Sequence, residues 1–293
     1  MFQEGRAHIM NYSETIEYIH SIPKFNRILG NDLLRRLLEK MGNPQRELKY
    51  IHVGGTNGKG SICTMTAEVL TQAGYKTGLF TSPYLVRFGE RIRINGIPIA
   101  DNALAEIASY VRDISEKYNA AVSEFAFDAA VAFEYFRREE CDFVVFEVGL
   151  GGKLDATNVI DTPYVTAFGA IGLDHCQYLG NTVDEISKDK FGIIKSGTKV
   201  VLSPVQENIV FLNAKEACEA HSAELIIPNI NEINEKHGST FKYKGTEYSL
   251  KMLGGFQIYN AVTAIEIVTA LKRKGVKISD TALKNGLSRA KID

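Results

Sequence analysis

The stretch Tyr50-Ile-His-Val-Gly-Gly-Thr-Asn-Gly-Lys-Gly-Ser61 constrains this chain more tightly than any other. A β-type run, Tyr50 to Val53, feeds a loop with glycines at 54, 55, 58 and 60 and a lysine at 59. A helical pattern follows at once, with Ile62, Met65, Val69 and Leu70 apolar. Strand, glycine loop, lysine, hydroxyl and helix together form a cradle for a nucleoside triphosphate. Glycines let backbone N–H groups crowd around phosphate oxygens, and the helix N-terminus adds partial positive charge. Lys59 is placed to neutralise the β/γ-phosphates, and Ser61 to touch phosphate or Mg²⁺. The expected nucleotide contacts are Gly55, Thr56, Asn57, Gly58, Lys59, Gly60 and Ser61. The spacing departs from the usual G-x-x-x-x-G-K-[ST] loop, because Gly60 stands between lysine and serine. A plain strand-to-helix turn is the competing reading, but such a turn needs neither the lysine nor this density of glycine.

Bulk properties limit the partners. The 34 basic and 35 acidic residues nearly cancel, so charge gives no case for nucleic acid or an anionic membrane. Cys63, Cys141, Cys176 and Cys218 are scattered without a C-x-x-C pair, which argues against a zinc site or a disulfide framework. No 18-residue apolar run appears, and the N-terminus lacks a signal-peptide layout. The expected setting is the reducing cytoplasm.

Along the chain, residues 1–49 read as helices, at Tyr12 to Ile19 and Asn31 to Met41, the second stopped by Gly42-Asn-Pro44. Apolar strands are then expected at Tyr50 to Val53, Thr77 to Phe80, Phe143 to Val148, Tyr164 to Phe168, Lys199 to Leu202 and Ala223 to Ile227. Helices fit at 61–73, 101–118, 124–139, 182–194 and 206–221. This alternation predicts an α/β fold: a P-loop-type, doubly wound, mainly parallel sheet flanked by helices. Residues 240–252 alternate around Lys244-Gly245 and read as a small β-hairpin, followed by helices from Gln257 to Lys272 and from Asp280 to Ala290.

Ligands of such sheets lie beyond the carboxyl ends of the strands. Thr81-Ser-Pro83, the segment from Glu147 to Thr157, and Ile171 to His175 all fall there. Glu147 ends an apolar run, so its carboxylate needs a cation or donors to offset desolvation. Mg²⁺ held by one or two carboxylates plus phosphates is one answer, and a capped neighbouring loop is another. On residues alone, His175 reads equally well as a satisfied structural imidazole and Ser82 as part of a Ser-Pro turn, while Lys190 reads better as a solvated lysine.

Five segments occur in one order: Gly55 to Ser61, Thr81 to Pro83, Phe146 to Asn158, Leu173-Asp-His175 with Leu179-Gly180, and Lys190-Phe-Gly-Ile-Ile-Lys195. Together they resemble the folylpolyglutamate synthase/dihydrofolate synthase family of the Mur ligase superfamily, from about residue 23 to the end. The resemblance implies an ATP-dependent ligase that phosphorylates a carboxylate of a folate or pteroate and lets the amine of L-glutamate displace phosphate. It implies Lys59, Glu147, His175 and Lys190 as catalytic, Ser82, Glu147 and His175 as metal-site residues, and Lys190 as a candidate carbamate. Leu154, Asp155 and Ala156 match a segment touching the pterin-bearing substrate, and Asn260 matches an asparagine that meets the nucleotide. ATP, Mg²⁺ and, in this family, K⁺ are the implied cofactors, and the implied state is a monomer.

Departures fall mostly on the substrate side. Tyr84 stands where relatives usually carry His, Ala126 follows Phe125 where Glu is common, Phe256 precedes Gln257 where His is usual, and Gly30-Asn-Asp-Leu33 replaces Gly-Leu-x-Arg. The resemblance also implies a second, glutamate-ligase domain after a Trp-Pro-Gly-Arg segment, whereas this sequence stops at Lys291-Ile-Asp293. Residues 1–49 are therefore expected to be an N-terminal helical segment and 50–293 the ATPase domain, which alone should bind nucleotide weakly and turn over poorly. Another Mur-type ligase, or a non-catalytic nucleotide-binding module, is the competing reading.

Overall fold

The computed structural model describes residues 8–24, 30–237 and 239–291. In chain order its strands are β1 (Tyr50–Gly54), β2 (Thr77–Phe80), β3 (Ile92–Ile94), β4 (Ile97–Pro98), β5 (Phe143–Glu147), β6 (Val165–Phe168), β7 (Lys199–Leu202), β8 (Glu224–Ile226), β9 (Ile233–His237), β10 (Thr240–Tyr243) and β11 (Thr246–Ser249). The helices are α1 (Tyr12–Ser21), α2 (Asp32–Lys40), α3 (Lys59–Gln72), α4 (Asp101–Lys117), α5 (Glu124–Arg138), α6 (Cys176–Leu179), α7 (Val183–Lys190), α8 (Asn208–Ala220), α9 (Phe256–Arg273) and α10 (Asp280–Arg289).

Eight strands form one sheet in the order β4-β3-β2-β5-β1-β6-β7-β8. The strands from β2 to β8 in that order run parallel, and β3 and β4 add an antiparallel edge. β1 lies between β5 and β6, with Val53 opposite both Glu147 and Ala167. Its residues are buried on both faces, as parallel strands flanked by helices must be. Ile51 and Val53 point into a core shared with α3, α9 and α10, while Tyr50 packs with Phe80, Phe146, Leu37 and Ile19 on the other side.

Local chemistry sets the helix starts. Asn11 accepts from Glu14 N at 3.0 Å while Glu14 takes the Asn11 N–H at 2.8 Å, closing a capping box on α1. Thr182 and Glu185 do the same for α7. Leu34, Leu37 and Leu38, spaced at three and one residues, put one stripe of α2 into the core.

The parallel sheet and its helices match the sequence expectation. Three differences have physical reasons. The edge strands β3 and β4 were not expected, because three and two residues are too short to show an alternating pattern. The expected hairpin at 240–252 is instead part of a three-stranded antiparallel sheet, β11-β10-β9, whose Phe241, Tyr243 and Tyr248 join the α9 core. The expected helix at 182–194 stops at Lys190 and continues as a 3₁₀ turn, Phe191–Ile193. No helix among the described residues is long and apolar enough to cross a membrane.

Candidate active site

The loop after β1 is shaped by close backbone approach. Thr56 N and Asn57 N both donate to the carbonyl of Ala170, at 2.8 and 2.9 Å, and Gly169 N donates to Gly54 O at 3.0 Å. Gly55 has φ +126°, and a Cβ there would sit 2.8 Å from Gly169 N. Gly58 has φ +83°, and its Cβ would lie 2.3 Å from Asn260 Oδ1. Both positions therefore need glycine for conformation and for space. The inserted Gly60 is different: a Cβ there would meet only Glu147 Oε2, at 3.7 Å. Its bare Cα keeps the first turn of α3 open toward that carboxylate.

Lys59 opens α3 and folds back, donating from Nζ to Gly55 O at 3.1 Å and Thr56 O at 3.2 Å. Ser61 is buried and its Oγ accepts from Gln257 Nε2 at 3.1 Å, while Asn260 Nδ2 donates to Gln257 Oε1 at 2.9 Å. α9 thus braces the nucleotide loop through Gln257 and Asn260.

Glu147 ends β5 and is only 3% exposed. It accepts from Ser82 N at 3.1 Å, and burial pushes its carboxyl up to about 7 against the pull of Lys59. Glu147 and the Ser82 hydroxyl are hard oxygen donors, which suits Mg²⁺ sharing phosphates and waters. Glu147 and Ser82 line a cavity of about 770 Å³ together with Gly58, Gly60 and Ser61. The residues therefore fit a nucleotide with Mg²⁺. His175 is less integrated. It begins α6 in the left-handed conformation, φ 48°, with its side chain half exposed and 3.7 Å from Asp174. Among the described residues no hydrogen bond or ion pair joins it to Glu147 or Ser82.

Lys190, far from being solvated, is 3% exposed and donates to Gly55 O at 3.2 Å. Burial and, after it, the Lys59 ammonium lower its pKa to about 8. A lysine held that near neutrality presents the free amine that carbamate formation with CO₂ requires.

A second cavity, of about 1050 Å³, is lined by Leu154, Asp155, Ala156, Asn31, Tyr84 and Phe125, among others. Ser82 and Pro83 line both cavities. Asp155 is buried; its carboxylate takes Thr157 N and Leu150 N, both at 2.8 Å, and Thr157 Oγ1 at 2.5 Å. Desolvation raises its pKa despite these donors. Because the Thr157 hydroxyl proton goes to Asp155, His52 Nε2 must be the donor to Thr157 Oγ1, at 2.8 Å. That chain runs from β1, which feeds the nucleotide loop, to the segment lining the second cavity. His52 is fully buried and held neutral, its pKa lowered by desolvation to about 3.

The chain matches the Mur ligase middle domain over residues 53–268. It is 35% identical over 295 residues to the dihydrofolate synthase/folylpolyglutamate synthase of Bacillus subtilis, covering 95% of this chain and 68% of that protein. This chain belongs to the folylpolyglutamate synthase/dihydrofolate synthase family. A folylpolyglutamate synthase of Lacticaseibacillus casei is 45% identical over 197 residues, 66% of this chain and 46% of that one. A solved FPGS–AMPPCP–folate complex superposes with a TM-score of 0.89 at 33% identity, over 97% of this chain and 72% of that chain. An E. coli FolC structure with DHPP and ADP gives 0.83 at 26% identity, over 97% and 67%. The chain thus spans between about half and about seven-tenths of the length of these relatives.

Beside the residues expected from the family's motifs, the second cavity holds two that sequence reading missed. Arg91 ends a 3₁₀ turn, Phe88–Arg91, and Asp128 lies on α5; their Nε and Oδ2 are 3.6 Å apart. Asp128 is 1% exposed, and burial pushes its carboxyl up to about 7, with Arg91 opposing. Asp128 lines the same cavity as Ala126, two residues before it. The signal was present as an acid inside an otherwise apolar helix, Ala126-Phe-Asp-Ala-Ala-Val131.

Proposed function

We propose that this chain carries the nucleotide and substrate sites of an ATP-dependent ligase that adds L-glutamate to tetrahydrofolate, to dihydropteroate, or to both. The observation that carries the reading is the wall shared by the two cavities. Ser82 and Pro83 line both, with Glu147 against Ser82 on the nucleotide side and Asp155 on the other. A γ-phosphoryl group over the glycine loop and a substrate carboxylate in the second cavity would meet there.

Phosphoryl transfer asks the protein for positioning and charge neutralisation more than for covalent chemistry. Lys59 and the loop amides would hold the β/γ-phosphates, and Asn260 would contact the nucleotide beside Gly58. Glu147 and Ser82, joined by His175 as the family's motif implies, would hold Mg²⁺, which when bound neutralises charge on the transferred phosphoryl group; K⁺ would be a second ion. Lys190, as its carbamate, would add an anionic oxygen to that site. Leu154, Asp155 and Ala156 would fix the substrate, whose phosphorylated carboxylate is attacked by the amine of L-glutamate, so that an amide forms and phosphate leaves.

In this reading residues 1–49 pack as a helical segment on the ATPase domain of 50–293, and the protein is a cytoplasmic monomer acting on small molecules. The four cysteines are free thiols and three of them are buried, which supports a reducing setting. The test is ADP release with tetrahydrofolate, or dihydropteroate, plus glutamate, compared with ATP alone. Release dependent on all substrates supports the ligase. Nucleotide binding unaffected by any pteridine would sink it.

A further inference from the structure

We propose that His52 is a positioning residue of the ligase: it sets the Thr157 hydroxyl and, through it, the Asp155 carboxylate that holds residues 149–157 in shape. The proposal rests on the reading above that the second cavity takes the acid substrate, and adds a residue that touches no substrate.

One carboxylate closes this loop. Asp155 Oδ2 accepts from Leu150 N and Asp155 Oδ1 from Thr157 N, both at 2.8 Å. A single side chain thus ties the start of the loop to the 3₁₀ turn Ala156–Val159 that ends it. Gly149, Leu150, Leu154, Asp155 and Ala156 all line the cavity. The orientation of Asp155 therefore sets the shape of that wall.

His52 acts on this carboxylate through Thr157. The 2.5 Å from Thr157 Oγ1 to Asp155 Oδ1 is the length of a hydroxyl donating to a carboxylate, so the one Thr157 proton is committed there. His52 Nε2, 2.8 Å from the same Oγ1, must then carry a proton and donate it. Among the described residues no other donor reaches that buried oxygen. Nδ1 is left as an acceptor, buried and without a hydrogen-bond partner among the described residues. The β1–β6 register sets Thr166 opposite His52 on the same face of the sheet, and its hydroxyl is buried without a described partner too.

An imidazole with one orphaned nitrogen is a costly way to fill a strand whose neighbouring residues, Ile51 and Val53, are aliphatic. Leucine would serve packing alone, but it lacks the donor. The ring stands two residues before Gly54, where β1 ends at the nucleotide loop. The wall of the second cavity is thereby pinned to the strand that carries the phosphate cradle.

The experiment compares the unaltered 293-residue chain with His52→Leu and His52→Gln by amide hydrogen exchange and equilibrium dialysis. Leucine fills the space without the donor, whereas glutamine offers an Nε2–H at nearly the same reach. His52→Leu should speed exchange at the Leu150 and Thr157 amides about tenfold, the loss of one net hydrogen bond, while β1 and α3 stay protected. His52→Gln should return both amides to within about twofold of the unaltered chain. Dihydropteroate should bind about tenfold more weakly to His52→Leu and recover in His52→Gln, with ATP binding within about twofold throughout. Exchange that is unchanged in His52→Leu, that rises along the whole of β1, or that rises in both variants alike overturns the assignment. So does dihydropteroate binding that ignores a loosened loop. Nitrogen NMR of the unaltered chain should find the imidazole proton on Nε2; a proton on Nδ1 overturns the assignment even if neither variant folds. The expected exchange pattern, with no dihydropteroate bound by the unaltered chain, would overturn the ligase reading and leave the hold of His52 on the loop standing.

Discussion

The two cavities that meet at Ser82 are built by opposite means. The nucleotide side is backbone: amides of Thr56 and Asn57 tied to Ala170, glycines at 55 and 58 where a Cβ would collide, and one lysine folded over the loop. The substrate side is made of side chains brought from distant places: Asn31 from α2, Tyr84 and Arg91 from the β2–β3 connection, Phe125 and Asp128 from α5, and Asp155 from the segment after β5. A backbone cradle recognises the phosphates of ATP, a substrate that does not vary with the acid being ligated. A side-chain cavity can be retuned one residue at a time.

Lysine removal gives the largest separation of the two. Lys59→Ala should lower substrate-dependent ADP formation by about 10²- to 10³-fold, the usual loss for one preorganised charge donor. Pteridine affinity should stay within about twofold. A parallel fall in pteridine affinity, read by equilibrium dialysis, would break the contrast.

Gly58→Ala should come next. It combines a left-handed φ with a Cβ 2.3 Å from Asn260 Oδ1, so α9 must shift away from the loop. We expect about 1–3 kcal/mol of lost stability by denaturant titration and weaker nucleotide binding. Gly197→Ala is the control: φ is +69° but nothing lies within 4 Å, so only the backbone strain should appear.

The effect that is smallest at neutral pH concerns His52, which links the two sides. Its folded pKa is near 3 against an ordinary 6.5. Above pH 6.5 the ring is neutral folded or unfolded and costs nothing. As pH falls from 6.5 toward 3, the unfolded chain takes a proton that the folded chain refuses, so stability drops by up to about 1.4 kcal/mol per pH unit. His52→Gln should flatten that acid limb between pH 6 and 4 (approximately, by the same linkage). An unchanged slope would mean that the ring titrates in the fold.

The same contrast explains what could be read from sequence. The strand–loop–helix at 50–72 was legible because every determinant is local: glycines, lysine and apolar period lie within about two dozen residues. The six parallel strands were legible as apolar runs. Lys190 alone looked like a solvated residue on an amphipathic helix, because nothing in its own segment reveals that α7 packs its last turn against Gly55. The Arg91–Asp128 pair was missed for the same reason: its members sit on a 3₁₀ turn and on a helix across the cavity, and no spacing rule joins them. Gln257 was visible in its motif, but its grip on Ser61 is a contact across 196 positions.

The position of β1 has a consequence for how the molecule assembles. It is the first strand of the sheet in sequence, yet its neighbours β5 and β6 begin only at residues 143 and 165. Pairings of such long sequence separation form slowly, because loop-closure entropy is lost before contacts repay it. During synthesis, β1 must therefore wait for about ninety residues before its first strand partner is made, with only α3 of its core helices available to cover Ile51 and Val53, a window in which chaperones have something to hold. The carbonyl of Ala170, which receives both loop amides, arrives after both β5 and β6. Triphosphate affinity can then emerge only after the central strands have closed, and nucleotide capture during refolding would time the completion of the sheet.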